Sequence, residues 1–499
     1  MTTRASAAGI DRLEPAVVWR YFAGIAATPR PSKHEGRIRQ HVKAEAVRLG
    51  LAPREDAAGN LVIEVPASTA CEGAPVTVLQ GHLDMVGEKN SGTDHDFDRD
   101  AIALLLDTDP TAGTQIVRAD GTTLGADNGI GVAMALAVAA SSEVIHGPLE
   151  LVFTTDEEAG MTGAKTLTPG SFRGRRLLNL DSEEDDALYI GCAGGCDCNL
   201  SWALAPAVPP KGCELCRVSV TGLRGGHSGG DIHENRANAI KLLARVLRGV
   251  PAGFQLSALF GGSKRNAIPR EASAVVAGPQ GTIAALQRVA RVVRDEAVRV
   301  AGDKNASVRV DPIPGDAPTA ALSAPDSAKV IAALDALPNG VLGMHPTVPD
   351  LVETSNNVST VCSTMAGDGF TVEVGTLARS SSEPRMEETL GQIAEVGRSA
   401  GATLVTANRY PEWAPNPQSP TLAVCRRVYT DLFGQAPRVA AIHAGLECGI
   451  IGEGVGGVDM VSFGPTIKGA HSPDERVYVA SVQKSWRYLA AVLKALAAA

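Results

Sequence analysis

The sequence predicts an α/β fold in which a mostly parallel central sheet, covered by helices, carries an inserted α+β lid domain. Two observations support this class. Short apolar runs alternate with helical patterns through the first 200 residues, which is typical of a parallel sheet covered on both faces. Two Pro-rich breaks, at 204–212 and 411–419, then bracket a segment with a different order of elements. We therefore expect a first domain over 1–207 and 412–499, with 208–411 inserted as the lid.

The elements of the first domain follow from these runs. A strand is expected in PVTVLQGHLDMV, followed by an Ala-rich helix in DNGIGVAMALAVAASS. The segments PLELVFTTDEEAG and RRLLNLDSEE predict two more strands, because each contains a short apolar run. After the second break, the helix TLAVCRRVYTDLFG, the helix-like AIHAGLECGIIG and the strand DMVSFGP complete this domain.

The inserted segment repeats one order of elements. Its first part predicts a strand (ELCRVSVTG), a helix (ENRANAIKLLARVLRGV), two strands (FQLSALFGG and EASAVVAG), a helix (TIAALQRVARVVRDEAVRVAG) and a strand (ASVRVDPI). This is the order of a split βαβ unit. A similar order recurs over 325–410. We therefore expect a lid built of two split-βαβ-like halves, with hinges at the two Pro-rich breaks.

The composition excludes several classes of partner. Among 499 residues, 46 Lys and Arg against 55 Asp and Glu give a net charge of -9, which disfavours nucleic acid and anionic membranes. No apolar run is long enough to span a bilayer, and Asp11 and Glu14 interrupt the position of a signal peptide. Nine cysteines at low density fit reduced thiols. We therefore expect a cytoplasmic protein.

Acidic and imidazole side chains follow several predicted strands. Side chains that follow strand ends of an open α/β sheet meet at one edge, where ligands bind. The residues that share this position, together with one at the start of the Ala-rich helix, are His82, Asp84, Asp127, Glu157, Glu158, Asp181 and His471. Their convergence is more informative than any one of them.

Two histidines and three carboxylates suit a pair of divalent ions such as Zn²⁺, Mn²⁺ or Co²⁺. Two neighbouring metals need a bridging ligand, and Asp127 at a helix N-terminus is well placed to offer both oxygens. Asp84, two residues after His82, can accept the other imidazole N–H and orient the ring. Of the pair Glu157 and Glu158, one can bind metal while the other takes a proton from the attacking water.

The motifs GHLDMV, GADNGIG, TTDEEAGM, LDSE and GAHSPDE resemble the metal-site motifs of the aminoacylase/carnosinase superfamily of co-catalytic zinc exopeptidases. Within it, GGHSGGDIHENRANAIK, SKRNAIPR, SNN, LARSS and AIHAGLECG are similar to those of the cytosolic aminoacyl-histidine dipeptidases, also called Xaa-His or non-specific dipeptidases. The resemblance covers the chain from about 15 to 495. It implies the zinc-exopeptidase fold and hydrolysis of dipeptides.

The resemblance also implies a role for each residue of the site. One metal would be held by His82, Asp127 and Asp181, and the other by His471, Asp127 and Glu158. Glu157 would be the general base and Asp84 the residue that orients His82.

For substrate binding, the resemblance implies four roles, three of them carried by lid residues. His227 would stabilise the oxyanion, from the partner subunit in dimeric relatives, and Asn266 would contact the substrate backbone. Arg379 would bind the substrate's C-terminal carboxylate, a role suited to a guanidinium. Gly445 and Glu447 would line the pocket. The expected assembly is a homodimer through the lid, with two divalent ions per subunit.

Three local motifs match other kinds of site, and the sequence argues against each, since none accounts for the acidic and imidazole residues at the strand ends. GHSGG at 226–230 matches the nucleophile pattern of a serine hydrolase, with Ser228 as nucleophile and His443 or His471 as base. GEGVGG at 452–457 matches a dinucleotide pattern, although it precedes a strand. Cys213 and Cys216 form a C-x-x-C that could hold zinc or act as a redox pair.

Broader alternatives are a metallo-aminoacylase or deacetylase, a tripeptidase, and a non-catalytic metal-binding protein on the same fold. The sequence leaves open whether β-alanyl-histidine, other Xaa-His or general dipeptides are preferred. It also leaves open which metal is bound.

Overall fold

The computed structural model describes residues 9–249, 253–315, 320–346, 348, 350–366 and 369–498. The chain divides into two compact units, each with a hydrophobic core of its own. The first unit covers Met1–Gly191, Pro415–Ala441 and Leu446–Ala499, and the second covers Cys192–Ala414 and Ile442–Gly445. The domain limits expected from the sequence stay a prediction beside these observed limits.

Within the described residues, the helices are α1 Ala16–Ala26, α2 Gly36–Arg48, α3 Ala126–Ala140, α4 Glu157–Gly160, α5 Thr162–Lys165, α6 Ala239–Arg248, α7 Thr282–Val300, α8 Ala324–Ala336, α9 Glu383–Ser399, α10 Pro420–Phe433, α11 Glu447–Gly454 and α12 Val479–Ala497. Across the part of the chain that is described, none of these helices has both the length and the apolar character needed to cross a membrane.

The strands of the first part of the chain are β1 Pro53–Glu55, β2 Leu61–Val65, β3 Thr77–His82, β4 Leu104–Thr108, β5 Gln115–Ala119, β6 Leu149–Thr154, β7 Arg176–Asn179, β8 Ala187–Cys192, β9 Gly194–Leu204, β10 Pro206–Ala207, β11 Glu214–Thr221 and β12 Gly226–His227. The later strands are β13 Gln255–Gly261, β14 Ala267–Ile268, β15 Ala272–Gly278, β16 Ser307–Pro312, β17 Ala321–Leu322, β18 Gly340–Met344, β19 Val352–Ala366, β20 Gly369–Ser380, β21 Thr403–Tyr410, β22 Arg438–Ile442, β23 Asp459–Ser462, β24 Ile467–Lys468 and β25 Arg476–Tyr478.

The first unit is built on an eight-stranded sheet in the order β1-β2-β6-β3-β7-β23-β8-β22. Its four central strands, β6, β3, β7 and β23, run parallel to one another. Strand β2 pairs with β6 antiparallel, and β23 pairs with β8 antiparallel. The predicted α/β class is confirmed, and the sheet is mixed, with parallel pairing among its four central strands.

Residue size explains how closely α3 approaches this sheet. Strands β3 and β6 are buried along their whole lengths, as a central parallel pair requires. Gly131 lies on α3, and a Cβ at this position would lie 2.5 Å from the carbonyl oxygen of Leu180. A Cβ at Gly81 in β3 would lie 2.2 Å from Oδ1 of Asn128, in the first turn of α3. Larger residues at these positions would push the helix away from the strand ends.

The second unit is built on one antiparallel sheet in the order β16-β11-β15-β13-β19-β20-β9-β21, with β18 paired to β19. The strands β11, β13, β15 and β16 with α6 and α7 form the first predicted split βαβ half. The second half consists of β9, β19, β20 and β21 with α8 and α9. The two halves join where Phe260 and Gly261 of β13 pair with Cys362 and Val361 of β19.

Two elements differ from the sequence expectations. The first strand of the second half is β9, which precedes the whole first half along the chain and pairs with β20 and β21. The helix-like segment AIHAGLECGIIG is instead the end of β22, a short loop and α11. Its apolar run is divided because Leu446, directly before α11, has extended backbone angles.

A candidate metal centre in the first unit

The central strands deliver most of the predicted ligands to one place. His82 is the last residue of β3, Glu157 and Glu158 begin α4 directly after β6, and Asp181 follows β7. Asp127 lies in the first turn of α3, and His471 lies in the loop between β24 and β25. Because the carboxyl ends of parallel strands share one edge of the sheet, ligands distant in sequence meet there.

The geometry of these side chains centres on Asp127. Its Oδ1 lies 3.1 Å from Nε2 of His82, and its Oδ2 lies 3.3 Å from Nε2 of His471. Nε2 of His82 also lies 3.2 Å from Oδ1 of Asp181, and Nε2 of His471 lies 3.0 Å from Oε2 of Glu158. Each oxygen of Asp127 therefore faces a different imidazole, and each imidazole faces a second carboxylate.

Asp84 contacts His82 on the ring nitrogen that faces away from Asp127. Its Oδ1 lies 3.4 Å from Nδ1 of His82, and Ser32 Oγ donates to its Oδ2 at 2.7 Å. The backbone N–H groups of Glu157 and Glu158 donate to Oδ1 and Oδ2 of the same carboxylate. Burial alone would raise the pKa of Asp84, but the hydrogen bonds from His82 and Ser32 lower it to about 2.

The buried charges perturb one another strongly. Burial alone would lower the pKa of His82, but Asp181, Asp127 and Asp84 together raise it well above its usual range. Hydrogen bonds that His471 donates to Asp127 and Glu158 raise its pKa to about 11. Burial raises the pKa of Asp181 to about 7. These shifts mark a cluster with more negative charge than its surroundings neutralise.

The residues present fit a divalent cation. Donor atoms of His82, Asp127 and Glu158 lie within 4.8 Å of one another. Oε1 of Glu158 is buried and has no hydrogen-bond partner among the described residues. Imidazole nitrogens and carboxylate oxygens are ligands that Zn²⁺ and Mn²⁺ accept, and a cation would neutralise carboxylates that otherwise repel one another.

Glu157 is placed differently from Glu158. Burial raises the pKa of Glu157 well above its usual range. The ion pairs of His82 and His471 with carboxylates involve Glu158 but not Glu157. A buried carboxyl group beside a metal site, outside the ion pairs of the two histidines, is placed for proton transfer.

Several residues that the sequence analysis missed hold the site. Arg30, which is 1% exposed, donates from Nη1 to the carbonyl oxygens of Leu83 and Asp84 and from Nη2 to that of Gly125. Glu35 accepts from the backbone N–H of Asp156, which precedes the two glutamates. Nothing in the segment RPSKHE signals these distant partners. Glu475 was detectable only as the last residue of the quoted motif GAHSPDE.

Glu447 lies in the first unit and is fully buried. Its Oε2 accepts from Thr154 Oγ1 at 2.6 Å and from Gln80 Nε2 at 2.7 Å. Burial raises the pKa of Glu447 to about 7. The carboxylate is therefore tied to the sheet beneath the cluster, which is a supporting position in this unit.

In the second unit, Arg379 lies in β20 opposite Ser355 of β19. Its guanidinium is buried and donates from Nη1 to Tyr410 Oη at 2.7 Å, whereas its Nε has no partner among the described residues. Ser355 Oγ hydrogen-bonds with Nε2 of His443 at 2.7 Å. Burial, with help from the charges of Arg379 and His227, lowers the pKa of His443 to about 3, so this imidazole is neutral.

His227, Asn266 and Gly445 also belong to the second unit. Nδ1 of His227 accepts from the backbone N–H groups of Gly229 at 3.2 Å and Gly230 at 2.9 Å. Because Nδ1 accepts these bonds, the ring proton lies on Nε2, which points its donor away from the two glycines. The carbonyl oxygen of Asn266 accepts from the backbone N–H of Ser228, which links the two loops.

The alternative motifs have structural explanations. Ser228 is 1% exposed, and its hydroxyl has no hydrogen-bond partner among the described residues, so no base is positioned to activate it. A Cβ on Gly229 would lie 2.2 Å from the carbonyl oxygen of His443, so this glycine permits a close approach. The glycines of 452–457 end α11 instead of opening a helix. Cys216 packs in the hydrophobic core of the second unit.

In this unit, the central parallel strands hold histidines and carboxylates at their ends, which is the arrangement expected of a metal-dependent hydrolase. The model of Peptidase family M20/M25/M40 matches residues 78–495. The chain therefore belongs to this family, and the prediction of a metallopeptidase is confirmed.

Two similar proteins indicate which members of this peptidase family the chain resembles. The chain is 39% identical to the cytosol non-specific dipeptidase of Escherichia coli strain K12 over 495 residues, 98% of this chain and 99% of that protein. It is similar to the crystal structure of aminoacylhistidine dipeptidase from Vibrio alginolyticus, with a TM-score of 0.84, 40% identity and 98% of each chain covered. The predicted resemblance to this group of dipeptidases is thereby confirmed.

The fold extends to more distant proteins. A tripeptidase from Staphylococcus aureus is 16% identical, with a TM-score of 0.59 over 98% of this chain and 100% of that one. At this identity the likeness concerns the fold alone.

Proposed function

We propose that this protein hydrolyses dipeptides by means of two divalent metal ions, zinc first among the candidates, held around Asp127. The observation that carries the proposal is the position of Asp127, whose two oxygens face different imidazoles. Relatives described as dipeptidases at 39% and 40% identity support the choice of substrate class.

The proposed ligand sets are His82, Asp127 and Asp181 for one ion, and His471, Asp127 and Glu158 for the other. When bound, the ions would polarise the scissile carbonyl as Lewis acids and lower the pKa of the attacking water. Glu157 accepts the proton of that water on its carboxylate and delivers it to the leaving amine. Asp84 keeps Nδ1 of His82 engaged, which leaves Nε2 available as a ligand.

We assign recognition of the substrate to the second unit, a lid with hinges near the two Pro-rich breaks. Arg379 binds the C-terminal carboxylate, because its guanidinium is buried and keeps Nε available as a donor. His227 donates from Nε2 to the developing oxyanion, and Asn266 contacts the substrate backbone. Gly445 lines the pocket. Binding of the carboxylate at a fixed position explains selection of dipeptides over longer peptides.

A panel of dipeptides tests the substrate class. Metal-stripped protein would be assayed with carnosine, other Xaa-His dipeptides, general dipeptides and a tripeptide, with zinc, manganese or cobalt added back. We expect hydrolysis of dipeptides only after a metal is restored, and little hydrolysis of the tripeptide. Turnover that survives chelation, or a preference for the tripeptide, contradicts the proposal.

The proposed assembly is a cytoplasmic homodimer in which His227 acts on the site of the partner subunit. Mixing His227→Ala chains with Glu157→Gln chains would then restore about a quarter of wild-type activity, since half of the dimers are mixed and each has one complete site. No recovery after subunit exchange would instead favour a site formed within one chain. A sedimentation measurement of the mass in solution accompanies this test.

A further inference from the structure

Glu475 binds a run of backbone amides beside the cluster. Its Oε2 accepts from the N–H groups of Leu124 at 2.8 Å and Gly125 at 2.9 Å. Its Oε1 accepts from those of Ala126 at 2.8 Å and Asp127 at 3.2 Å. The side chain is 2% exposed, so water does not compete for these bonds. One carboxylate therefore binds four consecutive amides.

The position of these amides explains the arrangement. Leu124 and Gly125 directly precede α3, and Ala126 and Asp127 are its first two residues, where the N–H groups of a helix have no partners within it. The partial positive charge at a helix N-terminus favours a carboxylate there. Gly125, with φ of 69°, lets the chain turn around the carboxylate. Since the last amide of the run belongs to Asp127, its backbone is fixed where the side chain must present two oxygens.

Glu475 is also close in sequence to His471, the second histidine of the cluster. His471 precedes it by four residues, and β25 begins directly after it at Arg476. Asp109 anchors that strand by accepting from Nε of Arg476 and from Oη of Tyr478. The loop that carries His471 is therefore fixed at its end, and Glu475 connects that end to the backbone of Asp127.

Arg30 binds the same turn from its carbonyl side. Its Nη2 donates to the carbonyl oxygen of Gly125, and its Nη1 donates to those of Leu83 and Asp84. The buried positive charge of Arg30 also balances the buried carboxylate of Glu475. The turn before α3 is thus held through its N–H groups by one side chain and through its carbonyl by another.

We infer that Glu475 is a positioning residue that sets the separation between Asp127 and His471, and thereby the affinity of the site for divalent ions. The inference rests on the proposed function for the presence of the ions and on the observed bonds for the positioning. Glu475 needs no contact with the substrate to act in this way.

The direct test compares Glu475→Gln with Asp474→Asn. Glutamine has the same shape as glutamate, but it replaces one of the two acceptor oxygens by an amide nitrogen, which faces two N–H donors. Asp474→Asn is the control, because Asp474 is exposed and the substitution removes the same charge one residue away. Zinc affinity would be measured by competition with a chromogenic chelator. We expect a loss of about 10–100-fold for Glu475→Gln, as for other residues that orient metal ligands, and wild-type affinity for Asp474→Asn.

Folding and positioning are separated by further readouts. The unfolding midpoint and circular dichroism of the metal-free variants report stability alone. A folded Glu475→Gln protein with wild-type zinc affinity overturns the inference. Loss of zinc affinity in the folded variant supports it, whether or not the wild-type protein hydrolyses any dipeptide. Dipeptide hydrolysis with unchanged zinc affinity refutes the positioning role and leaves the proposed function intact.

A second measurement uses the unmodified protein, so it decides the matter if Glu475→Gln does not fold. Hydrogen exchange of peptides that contain 124–127 would be followed with zinc and after chelation. Because the acceptor is Glu475 and not the metal, we expect these amides to exchange slowly in both states. Rapid exchange after chelation overturns the inference, since helix-start amides without a side-chain acceptor are open to water.

Discussion

The two units hold their polar side chains in different ways. In the first unit, Asp84 lies 3.4 Å from Nδ1 of His82 and accepts from Ser32 and two backbone amides, and Glu475 accepts from four backbone amides. In the second unit, His227 is an exposed residue steered by two glycine amides, and Arg379 donates to the hydroxyl of Tyr410. Multiple fixed bonds suit a site that must hold cations at set distances, whereas the Nε of Arg379, which has no partner among the described residues, is left to bind a ligand.

This difference predicts two kinds of kinetic defect. Substitutions in the cluster of the first unit should reduce metal content or kcat. Substitutions of the recognition residues in the second unit should mainly raise KM and change selectivity. The variants below test this division, beginning with the largest expected effect.

Asp127→Ala removes the residue that faces both imidazoles. We expect both ions to be lost and hydrolysis to fall below detection, because no other side chain can replace a ligand shared by two metals. Metal content after gel filtration and the rate of dipeptide hydrolysis are the measurements. Asp120→Ala, an exposed aspartate in the same region, serves as the matched control. Two ions retained by Asp127→Ala would remove the bridge from the proposed site.

Glu157→Gln separates proton transfer from metal binding. We expect kcat to fall by about 10²–10⁴-fold, the usual contribution of a general base, while both ions remain bound. Glu158→Gln is the informative neighbour, since it should lose metal as well as activity. The opposite result is that Glu157→Gln loses metal and regains most of its kcat when zinc is in excess. That result would make Glu157 the metal ligand and Glu158 the base.

Arg379→Met tests the second unit. A hydrogen bond to a charged group contributes about 1.5–3 kcal/mol, so we expect KM for dipeptides to rise by roughly 10–100-fold with metal content unchanged. The preference for a free carboxylate over the corresponding amide should also weaken. Arg398→Met removes an exposed arginine from the same unit and should leave both quantities unaltered. Unchanged discrimination between acid and amide in Arg379→Met rejects its assignment as the carboxylate ligand.

The smallest effect concerns stability, and it should be the same in both units. Ser419 caps α10 by accepting from the N–H of Leu422, and Ser323 caps α8 by accepting from that of Asp326. Replacing either serine by alanine should cost about 1 kcal/mol of unfolding free energy, with kinetics and metal content preserved. Chemical denaturation measures the cost. If either variant changed the affinity for zinc, helix stability outside the cluster would influence metal binding. The contrast between the two units could then not be explained by the site residues alone.

The cluster was predictable because it follows from local signals. Each predicted ligand except His471 follows an apolar run or lies at a helix start, and the strand-end rule brings such positions together without a structure. His471 lies in a loop between two short strands, and only the family resemblance indicated it. The bonds that hold them were not predictable. Arg30 reaches carbonyls 53 to 95 residues away and Glu475 reaches amides about 350 residues away, and no periodic pattern records such partners.

In the second unit, too, the sequence predicts the elements but not their long-range partners. The repeated order of helices and strands is visible in the sequence, because each element has its own apolar period. The pairing of β9 with β20 is not visible, since a strand shows which of its faces is apolar but not which distant strand it joins. For this reason the sequence places Trp202 within the expected first domain, 1–207, and gives no sign that its strand pairs with β20.

The separation of β9 from its partners has a consequence during synthesis. At roughly 5–20 residues per second, a ribosome needs about 10–30 s to pass from Leu204 to Gly369, where the partner strand begins. Throughout that interval the strand, with its alternating cysteines and tryptophan, leaves the tunnel with both edges unsatisfied, while the intervening half can already complete its own sheet. During that time the nascent chain carries an unpaired strand, which is a template for aggregation until β20 has been made.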